Sequence, residues 1–411
     1  MKNKLTLSLI SALAATAAHG RGLYYIPNDA EGSVPMRFTV GINFTHDDNT
    51  TPTVPTGIKG FEDETISLNP YVGMSFVSVT PQTTWEVYAR LGVIYYLDSP
   101  EAAGSNDTYN QVRAGVNMTH RFNEKLRLVS SNFVSYELEP DYSYGFASTR
   151  QVSEYLYWQT DNALGYRWTE RFATYTGFQI TALDYTDLPN ADYLTWTIYN
   201  QFRYQVTPQT VLTASYRYSE TSGDGISNDS TNQYLLGGFE HRLSPNTILI
   251  ANVGAQLRSV DTAGGGDDST NPYAELTLQS QINEQFSIRG FLRYGIEDYD
   301  SVIGANQFDE RQALRIGVSS EYQISKALSV FGGVDYIGTN YDSGRNAAGP
   351  ITLTGDESLF NIYIGASVKL TEYLTGTLSL NHTTSDGSGA IFGTARDYDR
   401  NRISLGLSSE F

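Results

Sequence analysis

Apolar and polar positions alternate along nearly the whole of this chain. Between Leu314 and Ile324, one parity carries Leu314, Ile316, Val318, Tyr322 and Ile324, and the other carries Arg315, Gly317, Ser319, Glu321 and Gln323. The same reading separates Leu374, Leu378 and Leu380 from Thr375, Thr377, Ser379 and Asn381. It also separates Phe286, Ile288, Leu292, Tyr294 and Ile296 from Ser287, Arg289, Arg293 and Glu297, and it closes the chain with Ile403, Leu405, Leu407 and Phe411 against Arg402, Ser404, Gly406, Ser408 and Glu410. A period of two predicts strands with one oily and one polar face. No helical pattern is present to cover such a sheet, so the oily face must meet lipid and the sheet must close on itself. The register is well specified, because a one-residue slip would place Arg289 and Arg293 in hydrocarbon at about 2–4 kcal/mol each near the midplane. The alternation blurs between Gln151 and Trp168, where Gln159, Thr160, Asp161 and Asn162 interrupt it, and one long strand or a bulged one both fit there.

The connections set the topology. Short ones such as Thr80-Pro81-Gln82-Thr83, Asn123-Glu124-Lys125, Thr169-Glu170-Arg171, Ser244-Pro245-Asn246-Thr247 and Thr371-Glu372-Tyr373 recur about every 40 residues and read as tight hairpins. Longer Asp/Gly/Asn-rich ones lie between them, with 47–64 and 342–357 as the best candidates for a constriction loop. Strict alternation of short and long connections predicts an all-β fold, a transmembrane antiparallel up-and-down β-barrel of about 18 strands, with 16 as the alternative and both chain ends on the short-turn side. A β-propeller shares the 40-residue period but needs four short strands per repeat rather than two long ones. Tyr95, Tyr96, Tyr142, Tyr144, Tyr185, Tyr299, Tyr336 and Tyr341 near the long loops, and Trp85, Phe122, Trp168, Phe172, Phe286, Tyr373 and Phe411 near the short turns, predict two aromatic girdles.

Composition sharpens this picture. Lys2 and Lys4 precede an apolar run from Leu5 to Ala18 and then small residues, as in a secretory signal, and the run is too short to span a membrane as a helix. Residues 1–20 are therefore read as a cleaved signal peptide, 21–32 as a periplasmic segment able to form a small plug, and 33–411 as the barrel. The 30 Tyr and 37 Gly suit strands and bilayer interfaces, and with no cysteine no disulfide staples the chain. A net charge of −18 argues against nucleic acid as a partner. Its acidic residues concentrate in long loops, where they solvate the surface, hold divalent cations that bridge lipopolysaccharide, or bias a pore toward cations.

Parity then names the candidate chemistry. Arg90, Arg113, Arg203, Arg217, Arg289, Arg293, Arg315 and Arg402 point into the lumen, accompanied by Glu86, Glu275, Glu297, Glu321 and Glu410. Such a set either stiffens the wall as a salt-bridge lattice or forms a field that orients solutes. Inward Tyr88, Tyr96, Tyr175 and Tyr199 either stack on sugar rings or fill space. His46, His120, His241 and His382 fall in no Gly-x-Ser-x-Gly or His-Glu-x-x-His motif, so no enzyme, metal or cofactor is expected.

The first strand, Gly41-Ile42-Asn43-Phe44-Thr45-His46 running into Asp47-Asp48-Asn49, and the last, Tyr398-Asp399-Arg400-Asn401-Arg402-Ile403-Ser404-Leu405-Gly406-Leu407 ending at Phe411, resemble those of β-barrel porins of Gram-negative bacteria, a family with some members at exopolysaccharide-export loci. The resemblance implies residence in the cell outer membrane among lipid and lipopolysaccharide, and it implies Phe411 as the signal read by the barrel assembly machinery. It supplies no catalytic residue. The expected function is a porin-like channel for passive diffusion of small hydrophilic solutes or polysaccharide, with a homo-oligomer left open. The alternative is a structural or adhesive barrel with acidic extracellular loops and a closed lumen.

Overall fold

A computed structural model describes residues 20–21, 23–25, 33–50, 64–98, 106–138, 154–186, 192–223, 229–260, 267–297, 302–303, 306–346, 349–351, 354–389 and 397–411. Residues 1–19, most of the stretch read as a signal peptide, and most of the long-loop tips, with Tyr142, Tyr144 and Tyr299, lie outside the described residues. The closed sheet contains eighteen long strands, β1 (Val34–Asp47), β2 (Thr65–Val79), β3 (Thr83–Tyr96), β4 (Thr108–Arg121), β5 (Leu126–Glu137), β6 (Tyr155–Arg167), β7 (Phe172–Tyr185), β8 (Tyr193–Thr207), β9 (Thr210–Gly223), β10 (Ser230–Ser244), β11 (Thr247–Val260), β12 (Asp267–Asn283), β13 (Phe286–Ile296), β14 (Asn306–Gln323), β15 (Leu328–Asn346), β16 (Gly355–Lys369), β17 (Leu374–Gly389) and β18 (Tyr398–Glu410). Two short ladder segments, Val302–Ile303 and Gly349–Ile351, extend hairpins at the long-loop end.

Every strand pairs antiparallel with its sequence neighbours, and β18 closes on β1 from Glu410 opposite Thr39 to Arg402 opposite Asp47. Phe38 and Phe411 exchange backbone hydrogen bonds of 3.1 and 2.9 Å, so the last residue is part of the seam. Sixteen strands are thereby excluded. The short turns share one device, a side-chain oxygen that accepts from the backbone of the returning strand. Asn123 Oδ1 takes the N–H groups of Lys125 and Leu126, Thr169 Oγ1 those of Arg171 and Phe172, and Ser325 Oγ those of Ala327 and Leu328. This local bonding is why Asn, Ser and Thr recur at these sites.

Facing follows parity. Phe38, Val40, Ile42 and Phe44 are exposed on the outer wall, as are Leu91, Val253, Val318, Ile364 and Leu405. A closed barrel with an apolar outer band and a polar interior is the transmembrane architecture of the outer membrane. Strand β6 is regular against both neighbours, without a register shift, so the alternation there breaks in chemistry and not in geometry.

The expected girdles need correction at the long-loop end. Tyr95 faces outward, but Tyr96, Tyr185 and Tyr341 are 4%, 3% and 1% exposed and pack inside the lumen. They take the inward parity, where Tyr96 meets Tyr109 edge-on and Tyr185 packs against Tyr155. Ile296, read as lipid-facing, is buried too. Pairing of β13 with β12 stops at Tyr294 opposite Ala274, and lumenal Gln256 bonds both the N–H and the C=O of Ile296.

Candidate functional site

Lumenal charges are placed by strand parity, yet their partners are chosen by reach across the curved wall. Arg203 on β8 passes over β9 to meet Glu240 on β10 at 2.6 Å, and both are almost completely buried. Its Nη1 donates to Gln201 and its Nε to the carbonyl of Leu23. Leu23 packs on Val129, Ala163, Ala173 and Tyr175 near the short-turn end of the lumen, so part of the N-terminal segment is held against the inner wall. Arg217 on β9 reaches Glu275 on β12 at 2.7 Å, and Glu275 also accepts from Asn252 and Tyr273. Arg293 stands opposite both Glu275 and Arg315 in the strand register.

Glu297, just beyond β13, holds two arginines. Arg315 donates to it from Nε and Nη2 at 2.7 and 2.8 Å, and Arg311 from Nη1 at 3.2 Å. Arg113 forks onto Glu137 at 2.8 and 2.9 Å. At the seam, Arg400 pairs with Asp47, both buried. Buried pairs of this kind hold their geometry well, because the alternative is an uncompensated charge away from water.

The sequence reading named Arg113, Arg203, Arg217, Arg315, Glu275 and Glu297 but missed their partners Glu137, Glu240 and Arg311, and it missed the separate pair of Arg400 with Asp47. All five lie on the lumenal parity, which was the available signal. The remaining named residues are less enclosed. Arg90 stacks on the ring of Tyr71 at 3.7 Å and donates to Asn69 at 3.0 Å. Glu86 accepts from Asn117 at 3.2 Å, Arg402 donates to Asn381, and Arg37 bridges to Glu410 at 2.7 Å. Glu321 is half-exposed and Arg289 is exposed.

Inward tyrosines are positioned by glycines. Tyr199 on β8 lies flat over Gly177 on β7 and thereby reaches Asp161 on β6, donating its hydroxyl at 2.8 Å. Tyr88 lies over Gly115 and Tyr175 over Gly165 in the same way. A Cβ on any of these glycines would overlap the ring, so glycine on one strand creates the seat for the aromatic of the next.

The lumen is consequently asymmetric. A belt of buried side chains rings its long-loop end, including Tyr96, Tyr109, Glu137, Tyr155, Arg258, Glu297, Tyr341, Glu357 and Arg400. Below it, β6 to β11 remain closely packed, whereas lumenal positions on β1 to β4 and β15 to β18 are mostly half-exposed. The histidines stand apart from this interior. His120 pairs with Thr83 and His241 with Thr210 at the short-turn end of the outer wall, His382 bonds Asn401, and His46 lies 3.7 Å from Glu64. Among the described residues no three His, Asp or Glu side chains converge as metal ligands.

No family model matches the chain, and no curated protein matches it. Its fold is similar to those of solved outer-membrane proteins. It covers 99% of Pseudomonas aeruginosa OpdK, crystallised with vanillate, over 92% of its own length at 13% identity and a TM-score of 0.48. It covers all of Acinetobacter baumannii OccAB4 over 93% of its length, at 12% identity and a TM-score of 0.46. For Pseudomonas aeruginosa OccK9 (OpdG) the shares are 99% of that chain and 92% of this one, at 11% identity and a TM-score of 0.48. At these identities the similarity is one of architecture.

Proposed function

We propose that this chain is a porin-like channel of the outer membrane through which small hydrophilic solutes diffuse passively. The reading is carried by the half-exposed arc of the lumen, where Arg37, Glu86, Arg90 and Arg402 line a water-accessible wall inside a lipid-embedded barrel. Opposed charges along such a wall orient solutes and set ion preference. Refolded protein in a planar bilayer is expected to give stable ohmic openings, and Arg90→Glu to shift the zero-current potential in a salt gradient toward cation preference. Polysaccharide, the larger solute implied by the family resemblance, is tested by block of the same current with added oligosaccharide.

The buried belt below the long loops favours a second reading, a closed structural or adhesive barrel whose acidic loops bind partners. Absence of openings from protein with heat-modifiable gel migration would decide for it. Phe411 we assign a part in assembly. Because its bonds to Phe38 are made by the backbone, Phe411→Ala is expected to leave the refolded barrel within about 1 kcal/mol of the parent, while lowering the amount assembled in cells. Equal loss in both measurements would reduce Phe411 to a structural residue.

A further inference from the structure

Most outward-facing positions at mid-height on the described strands are apolar or glycine, and polar ones concentrate on one arc. On β5 and β6 the lipid-facing positions Ser130, Asn132, Thr160 and Asn162 are polar, and on β7 and β8 Thr174, Thr176 and Asn200 continue the band. Their parity is that of exposed Leu164, Phe178, Ile198 and Phe202, opposite to lumenal Ala163, Tyr175 and Arg203. The band is bracketed by apolar residues along each strand, with Leu126 and Leu128 below and Val134 above on β5, and with Leu164 and Tyr166 below and Trp158 above on β6. Thr160 and Asn162 stand roughly 10–15 Å along the membrane normal from Tyr166, close to the middle of an apolar band about 25 Å tall.

Four of these side chains form a closed ring of hydrogen bonds. Ser130 donates to Asn162 at 2.7 Å, Asn162 to Thr160 at 2.7 Å, Thr160 to Asn132 at 2.7 Å, and Asn132 to Ser130 at 3.0 Å. Beside it Asn200 donates to Thr176 at 2.7 Å. Each ring asparagine uses one N–H and one lone pair in this circuit and keeps the other of each. Lipid tails can satisfy none of these groups, and water is absent at that depth.

We propose that this arc is the contact face for a second copy of the chain. Only a membrane-embedded partner reaches mid-depth. Uncharged donors and acceptors left on one patch in matching number are self-complementary, so two copies related by an axis along the membrane normal satisfy one another. The interruption at Gln159 to Asn162 in the sequence pattern is then the mark of a protein-facing wall.

The chain has no cysteine, which permits single-cysteine crosslinking in native outer-membrane fragments. Asn132→Cys and Asn200→Cys are expected to give a product of twice the chain mass, and Ile364→Cys on the far wall none. In detergent, Asn132→Leu with Asn162→Leu is expected to lower the dimeric fraction about tenfold or more, with heat-modifiable migration retained. The proposal is overturned by failure of both band cysteines to crosslink in folded protein, by equal crosslinking at Ile364→Cys, by a crosslinked product of another mass, or by an unchanged dimer in the leucine variant.

Discussion

Glu297→Ala is expected to destabilise the barrel by about 3–5 kcal/mol, the range for removing one partner from a buried ion cluster. Glu297 is the shared acceptor of Arg311 and Arg315, all three being buried, so its loss removes the carboxylate that two buried guanidinium groups hold in common. Local rearrangement has little room, because the backbone N–H of Glu297 is itself bonded to the carbonyl of Arg311. Urea unfolding in phospholipid vesicles measures the effect as a lowered midpoint at unchanged slope. Glu321→Ala supplies the comparison: this lumenal glutamate is half-exposed, and its removal is expected to stay within about 0.5 kcal/mol. Equal losses at the two positions would refute the claim that the long-loop end of the lumen is held by this cluster.

Gly177→Leu is the second large effect, expected at about 2–5 kcal/mol from overpacking together with a lost hydrogen bond to a half-buried carboxylate. The added Cβ would lie 2.2 Å from Cζ of Tyr199, which obliges the ring to leave the wall and withdraw its hydroxyl from Asp161. The displaced ring moves into the lumen, so the same variant is expected to lower single-channel conductance. Gly237→Leu is the control, since Gly237 faces outward and a Cβ there meets nothing within 4 Å. A stability loss shared by both variants would point to backbone effects of leucine rather than to the seat of Tyr199. Unaltered stability in Gly177→Leu would show that the ring has another resting place.

Much of this molecule is legible in its residues because strand parity and turn chemistry are local. Ile403, Leu405 and Leu407 face lipid and Arg402 the lumen because successive side chains point to opposite faces, and no distant contact can change that. Asn123, Thr169 and Ser325 close hairpins within three residues, so the alternation of short and long connections, and hence the eighteen-stranded topology, follows from short windows. Closure of β18 on β1 needs only an even strand count and two free edges.

The pairing of lumenal charges is different in kind. Arg203 skips one strand to reach Glu240, and Arg217 skips two to reach Glu275. Which carboxylate a guanidinium meets depends on the curvature and stagger of the wall, which no window of sequence contains. The same is true of Tyr96, read both as girdle and as lumenal, of Tyr185 and Tyr341, read as girdle alone, and of Ile296, buried where its ladder to β12 ends. The sequence alone determined the compartment, the architecture and the facing of most side chains in the wall, because those rest on periodicity. Only the closed barrel decided which charges neutralise one another, which arc of the lumen carries half-exposed side chains, and that four polar residues on the outer wall bond in a ring, because each depends on how separate strands are placed against one another.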